Sequence, residues 1–519
     1  MTSEPAALYN AFAARDPRFD GVFYVGVTST GIYCRPVCTA RTPKAANCRF
    51  FESAGAAEKA NFRPCLRCRP ELAPGNAPVD DAQRIAALIV QRIEEGMVDE
   101  GAGIEHVAAQ FGWSARQIRR IVQRELGVSP IELVLTRRLL LAKQLLTETT
   151  LPITQVAFAS GFASLRRFND AFNGRYGMPP TRLRSTARQA AAVTTRPTAA
   201  TARRTSLSAP SRAGEPDRPA HATFSLQLAY RPPFDWAGIL RFLDARATRG
   251  VEMVDLERGA YLRTVRLGEH TGWVRVTNRP DRRALSVELP HDLTPVLPAL
   301  LGRLRHLFDL SAQPEMIDAQ LARDPLLAPL VARTPGLRVP GAFDGFELAV
   351  RAVLGQQVTV KGATTVAGRV AAAFGEPVRT PYEGIDRLAP TAERIARCRE
   401  GDIASLGIIR TRAQSIIALA RAVEHGALPL EAGGDHEHAI AELRALPGIG
   451  AWTAQYIAMR ALRWPDAFPK EDVVLRKALG GLTSARAEAR AGPWRPWRSY
   501  ATLHLWRGGA PAMDHASRD

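Results

Sequence analysis

Apolar residues along this chain fall into three patterns, and each predicts a different kind of element. Between residues 104 and 180 they recur at i, i+3 and i+4 in short blocks, and the blocks come twice. Ile104, Val107, Ala108 and Gly112 return 49 positions later as Ile153, Val156, Ala157 and Gly161, and Ile118 and Pro130 return 50 positions later as Phe168 and Pro180. Each copy reads as a short amphipathic helix, a glycine turn and a second amphipathic helix, which predicts two helix-turn-helix units. Segments 224–230, 261–266, 272–277 and 284–289 alternate or are β-rich, which predicts a small antiparallel sheet. From about residue 294 onward the apolar positions keep a helical period, as in Leu348, Val350, Val353, Leu354 and Val358, with Pro and Gly in the connections.

Residues 186–222 carry hardly any large apolar side chain, and so bury too little to offset chain entropy. They are expected to be a flexible linker. A weaker break lies at Pro70-Glu-Leu-Ala-Pro-Gly-Asn-Ala-Pro78. At 519 residues the chain exceeds what one core supports. The expected division is 1–78, 79–185, the linker 186–222, a β subdomain 223–295, a helical domain 296–507 and a tail 508–519. The expected fold class is multidomain, mainly α with α+β parts.

Lys and Arg number 69 against 51 Asp and Glu, a net charge of +18 that favours a polyanionic partner, above all double-stranded DNA. Only six of the 69 are lysines, a bias that genome composition explains better than phosphate recognition. No apolar run reaches the roughly 18 residues of a membrane span, and no basic stretch followed by an apolar run opens the chain. A cytoplasmic, nucleoid-associated monomer that does not engage membranes is expected.

Five of the six cysteines lie in the first 70 residues, which in a reducing compartment reads as metal or reactive thiol. Cys34 and Cys38, then Cys65 and Cys68, form two close pairs bridged by a loop, the spacing of a four-thiolate zinc site binding one Zn2+ per chain. Cys48 lies outside both pairs, and Cys398 stands alone and is expected to be inert. The segments Gly31-Ile-Tyr-Cys34-Arg-Pro-Val-Cys38 and Asn61-Phe-Arg-Pro-Cys65-Leu-Arg-Cys68 resemble the methylphosphotriester-acceptor domain of the Ada regulatory family over roughly residues 5–75. The resemblance implies a small α/β zinc domain in which Cys34 is both ligand and nucleophile, and Cys38, Cys65 and Cys68 are ligands only. A zinc-bound thiolate can take a methyl group from a methylated backbone phosphate, and the loss of negative charge then raises affinity for DNA.

Residues 82–185 resemble the AraC-type DNA-binding domain through Gly161-Phe-Ala-Ser-Leu-Arg-Arg-Phe-Asn-Asp-Ala-Phe172 and Arg175-Tyr-Gly-Met-Pro-Pro180. Two recognition helices in successive major-groove segments follow from that likeness, and RNA polymerase is the expected protein partner. On the first helix Ile118, Ile121 and Val122 face inward and Arg116, Arg119, Arg120 and Gln123 outward. On the second, Phe168 and Phe172 are core, and Arg166, Asn169 and Asn173 point out toward base edges or phosphates.

In the last third, Leu446-Pro-Gly-Ile-Gly450-Ala-Trp-Thr-Ala-Gln-Tyr456 places a Gly-x-Gly turn between helices, whose amides suit a phosphate. With Asp466-Ala-Phe-Pro-Lys-Glu-Asp472, Pro493-Trp-Arg-Pro-Trp-Arg-Ser-Tyr500 and Leu354-Gly-Gln-Gln-Val358, it resembles the AlkA-type 3-methyladenine DNA glycosylases of the helix-hairpin-helix superfamily, over most of 223–507. That resemblance implies Asp472 as the catalytic carboxylate, with Asp466 and Glu471 as nearby rivals. It also implies Trp452, Tyr456 and Trp497 as the base pocket, and Gly448, Gly450 and Gln357 as DNA contacts. Gln357 replaces the family's intercalating leucine. Trp452 occupies the place of the lyase lysine, no cysteine quartet follows the hairpin, and no Pro-Cys-His-Arg motif occurs, so a monofunctional glycosylase is expected, with no O6-alkylguanine transferase domain. The alternative is a zinc-structured transcription regulator whose glycosylase-like half is catalytically degenerate or acts on another damaged base.

Overall fold

The computed structural model describes residues 5–15, 23–51, 54–70, 114–194, 222–430 and 436–508, with positions 86, 89, 90, 92, 93, 104, 105 and 108 between them. Gly112 of the first expected turn, most of the expected linker and most of the expected tail lie outside the described residues. The chain divides into two units, residues 1–93 with 98–134, and residues 94–97 with 135–519.

In the first unit β1 (Tyr24–Val27), β2 (Ile32–Cys34), β3 (Cys48–Phe51) and β4 (Arg63–Pro64) form a sheet in the order β3-β1-β2-β4. Only β4 runs parallel to its neighbour, β2. Helix α1 (Pro5–Ala13) lays Leu8 and Phe12 against Phe23 and Val25, and α2 (Ala54–Lys59) brings Ala57 to Tyr33 and Phe62. A Cβ on Gly26 would fall 2.7 Å from the Phe51 ring, so only glycine lets the rings close over β1. Helix α3 (Ala115–Leu126) starts in a capping box between Ser114 and Gln117 and stops at Gly127, whose φ of 73° admits a left-handed cap. As its pattern requires, Ile118, Ile121 and Val122 are buried.

Helix α4 (Pro130–Glu148) leads into the second unit and the second repeat, made of α5 (Ile153–Ala159), a turn at Gly161 with φ 86°, and α6 (Leu165–Tyr176). Phe168 and Phe172 of α6 are fully buried. Helix α7 (Pro180–Thr194) runs past the point where the linker was expected to start. Poverty in apolar residues argues against a core, yet Ala and Arg are strong helix formers.

A five-stranded antiparallel sheet follows, in the order β5-β9-β8-β7-β6: β5 (Thr223–Ala229), β6 (Glu252–Asp255), β7 (Ala260–Leu267), β8 (His270–Arg279) and β9 (Ala284–Pro290). Four of these are the strands the pattern predicts, and β6 is additional. Helices α8 (Trp236–Asp244) and α9 (Leu297–Leu307) share its buried core. The helical part is built on α10 (Gly345–Leu354), α11 (Val360–Phe374), α12 (Arg410–Glu424), α13 (His436–Ala445), α14 (Ala451–Arg460), α15 (Val473–Ala478) and α16 (Arg498–Gly508), with other short helices before and between them. Among the described residues no helix is long and apolar enough to cross a membrane.

Candidate functional site: a four-sulfur centre and a carboxylate between indoles

Strand pairing assembles the four-sulfur centre. Cys34 ends β2, and a turn in which Cys38 N–H donates to Arg35 O at 3.1 Å folds Cys38 back beside it. Parallel pairing of β4 with β2, continued by Cys65 N–H donating to Tyr33 O at 3.0 Å, carries the second pair to the same end of the sheet. All four Sγ atoms lie within 4.8 Å of one another and are buried. Cys38 Sγ and Cys65 Sγ are 3.9 Å apart, against about 3.8 Å for a tetrahedron with zinc–sulfur bonds of about 2.3 Å.

The donor set demands a cation. Hydrogen bonding among the sulfurs, led by Cys38, drives the Cys34 thiol far above its ordinary range, while the Cys34 contact holds Cys38 down to about 2. Sulfurs this close are all thiolates only around a positive ion, so the cluster fits one Zn2+. Arg35 N–H donates to Cys68 Sγ at 3.4 Å, a support that orients the sulfur from outside the cluster. Cys48 stands apart in β3, its thiol 3.5 Å from Lys44 O, and Cys398 is half-buried against Arg394 O.

On α3, Arg116, Arg119, Arg120 and Gln123 are exposed, with Arg119 paired to Glu105 at 2.8 Å. On α6, Arg166, Asn169 and Asn173 are exposed, and Asp170 lies 3.9 Å from Arg166. Asp170 therefore sets a negative charge on a face otherwise suited to phosphates and base edges.

The second site is built at the start of α15, which Asp472 caps by accepting from Leu475 N–H at 2.7 Å on Oδ1. The same carboxylate accepts from two indoles, Trp452 Nε1 at 2.9 Å on Oδ2 and Trp506 Nε1 at 3.0 Å on Oδ1. Trp452 and Tyr456, one turn apart on α14, stack at 5.3 Å with 9° between planes, so a flipped base would meet the outside of this pair and would not slip between them. Trp497, expected in this pocket, is placed elsewhere. It packs edge-on against Tyr500 at 5.8 Å and lines a separate cavity with Asp309, Arg463 and Trp464. Trp506 is not among the residues expected from the sequence, because polar and apolar positions alternate along 498–508 without a face that singles it out.

Asp466 is buried under Arg498, at 2.7 Å, and Arg495, at 2.6 Å, which gives it a structural role. Glu471 has a buried Oε2 with no hydrogen-bond partner. Burial alone would raise the Tyr456 phenol, but Arg460 and Arg246 outweigh it and bring the pKa down to about 8. Arg460 donates to Tyr456 Oη at 2.8 Å and to the carbonyls of Pro340 and Gly341.

Gly448 has φ 76° in the hairpin between α13 and α14, and a Cβ there would lie 2.3 Å from Ser415 Oγ. Gln356 Nε2 donates to Gly448 O and to Thr453 Oγ1, both at 2.9 Å, tying the neighbouring loop to the hairpin. Gln357 follows at that loop's tip, exposed and left-handed at φ 53°, with exposed Val358 beside it. Gly450 is the N-cap of α14.

Four family descriptions match the chain: metal binding domain of Ada over residues 7–71, helix-turn-helix domain over 107–186, AlkA N-terminal domain over 225–344, and HhH-GPD superfamily base excision DNA repair protein over 350–492. A protein of Mycobacterium tuberculosis described as a probable bifunctional transcriptional activator/DNA repair enzyme AlkA is 40% identical over 96% of this chain and 95% of its own. DNA-3-methyladenine glycosylase 2 of Escherichia coli is 39% identical over 54% of this chain and 95% of its own length. The bifunctional transcriptional activator/DNA repair enzyme AdaA of Bacillus subtilis is 30% identical over 34% of this chain and 81% of its own. The chain thus belongs to the bifunctional transcriptional activator/DNA repair family that joins an Ada-type zinc-binding domain and a helix-turn-helix domain to an AlkA-type glycosylase.

Proposed function

We propose that this chain senses methylated DNA backbone by irreversible methyl transfer to Cys34, activates transcription in the methylated state, and hydrolytically excises 3-methyladenine and related alkylated bases. The observation that carries the excision reading is the Asp472 carboxylate suspended between the indoles of Trp452 and Trp506. Its two oxygens are fixed by three donors, and a carboxylate so held can stabilise the positive charge that develops on a sugar as its base departs. A cationic alkylated purine gains a cation–π attraction on the Trp452–Tyr456 stack that neutral bases lack. With no amine at the lyase position, base release leaves the strand intact.

Zinc at the sulfur centre supplies a thiolate that stays deprotonated at neutral pH. Cys34 Sγ attacks the methyl carbon of a methylphosphotriester, the carbon–oxygen bond breaks, and the phosphate leaves with its negative charge restored. Cys34 and Cys65 retain slightly more exposure than Cys38 and Cys68, and the motif assigns the transfer to Cys34. The helix-turn-helix residues would read promoter DNA, and the chain would act as a monomer recruiting RNA polymerase.

Two measurements test the reading. Incubation with duplexes containing 3-methyladenine should release free base without cutting the strand. Mass spectrometry after exposure to methylphosphotriester DNA should find one added methyl, on the Cys34 peptide. Methyl on the Cys65 peptide would reassign the acceptor, and absence of base release would leave only the regulator.

A further inference from the structure

The β5 edge of the five-stranded sheet is met by α4, the helix that leads into the second helix-turn-helix repeat. An edge strand ordinarily presents unpaired N–H and C=O groups, a liability that folds blunt or cover. Here two side chains one turn apart on α4 take both main-chain groups of Gln227 in β5. Gln144 Nε2 donates to Gln227 O at 2.5 Å, and Gln227 N–H donates to Glu148 Oε2 at 3.0 Å. Gln144 Nε2 also donates to Glu148 Oε2 at 3.0 Å, so three hydrogen bonds close the clasp into a ring.

Beside the clasp, Leu139, Leu145, Leu146 and Leu151 are buried in one apolar cluster with Phe224, Leu226 and Leu228 of β5. Helix α5 packs on the turn His291–Val296 that follows β9. The residues used are those facing away from DNA readout, for Arg166, Asn169 and Asn173 of α6 stay exposed.

We propose that the α4–α5 face is a docking surface for the glycosylase's own sheet edge, so that the second recognition helix and the base pocket meet DNA as one rigid body. Covalent connection makes this docking intramolecular, at an effective concentration on the order of mM, so an interface of modest intrinsic strength stays closed. An operator gripped by α6 then fixes where along the duplex the pocket falls. The docking stands on the clasp and the shared apolar cluster; calling its second partner a glycosylase rests on the function proposed above.

The test uses the zinc-loaded full chain with a protease site introduced within residues 195–221. After cleavage the two halves should co-elute in gel filtration. The double variant Gln144→Ala, Glu148→Lys should weaken their association at least tenfold. Zinc content and base release should match wild type in that variant, since neither residue lies at the sulfur centre or near Asp472. Wild-type halves that separate on cleavage, or variant halves that stay together as firmly as wild type, would overturn the proposal. Loss of base release in both proteins with co-elution intact would instead count against the glycosylase reading and leave the docking standing.

Discussion

Asp472 both starts a helix and is the proposed catalytic carboxylate, and its substitutions separate these roles. Asp472→Asn keeps a side-chain oxygen for Leu475 N–H but removes the charge, so excision should fall by about 100-fold or more while binding to abasic-site DNA changes little. Single-turnover base release set beside a binding titration checks this. Near-normal excision by the Asn variant, with loss in Glu471→Gln, would move catalysis to the neighbouring acid. Asp472→Ala should in addition lower stability by about 1 kcal/mol or more, because the cap is lost and two indole N–H groups are orphaned. Tyr456 carries a second prediction. Its pKa is depressed toward about 8, so the phenolate fraction grows as pH rises from 7 to 9, and selectivity for cationic over neutral bases should grow with it. Wild type minus Tyr456→Phe should show one tyrosinate absorbing with a midpoint near 8, and a midpoint at 10 would remove the arginine effect. The motif carries Asp472, the proposed carboxylate, but not Trp506, the third aromatic at that carboxylate. Helix α16 is buried on nearly every side, so the sequence does not mark Trp506 as the residue that reaches the Asp472 carboxylate.

At the scale of elements, the sulfur centre holds strands too short to hold themselves. Strand β4 has two residues and β2 three, and their parallel pairing ends at the cysteines. Chelation, or Cys68→Ser, should therefore unfold the region around residues 7–70 while the tryptophan-rich helical domain keeps its near-ultraviolet signal. Limited proteolysis after dialysis against a chelator reads both at once; an N-terminal fragment that stays protected without metal would show that the sheet stands alone. Cysteine spacing made this element readable. Strand β6 was not readable, because four residues with an acid at each end carry no alternation, and its place comes from pairing with β7. Helix α7 runs to Thr194, beyond the expected start of the linker at 186, because composition reports on burial more than on helix formation.

For the whole molecule, two buried histidines set an acid limit on the second unit. Burial depresses His306 to about 3 and His504 to about 4, so both rings are neutral in the fold. The unfolded chain takes up those protons first, near pH 6.5. Their stabilisation is complete above that pH and is lost as pH falls toward the folded values, on the order of 2 kcal/mol per ring at pH 5. Thermal unfolding of the full chain between pH 7.5 and 5 should show the second unit melting progressively earlier, with a shallower slope in His306→Gln. The domain order was written in the sequence, but the clasp between α4 and β5 was not, because Gln144 and Glu148 read as an ordinary solvated helix face. The joining of a sulfur centre and a glycosylase domain in one chain also bears on time. On the proposed function, a Cys34 sulfur turned into a thioether has no route back, so a signalled chain would be a permanent record of one lesion. That record would be carried on the same chain as a site still able to turn over. Cells would thus keep every alarm as a working repair enzyme, and the response would fade only as growth dilutes the marked copies among their descendants.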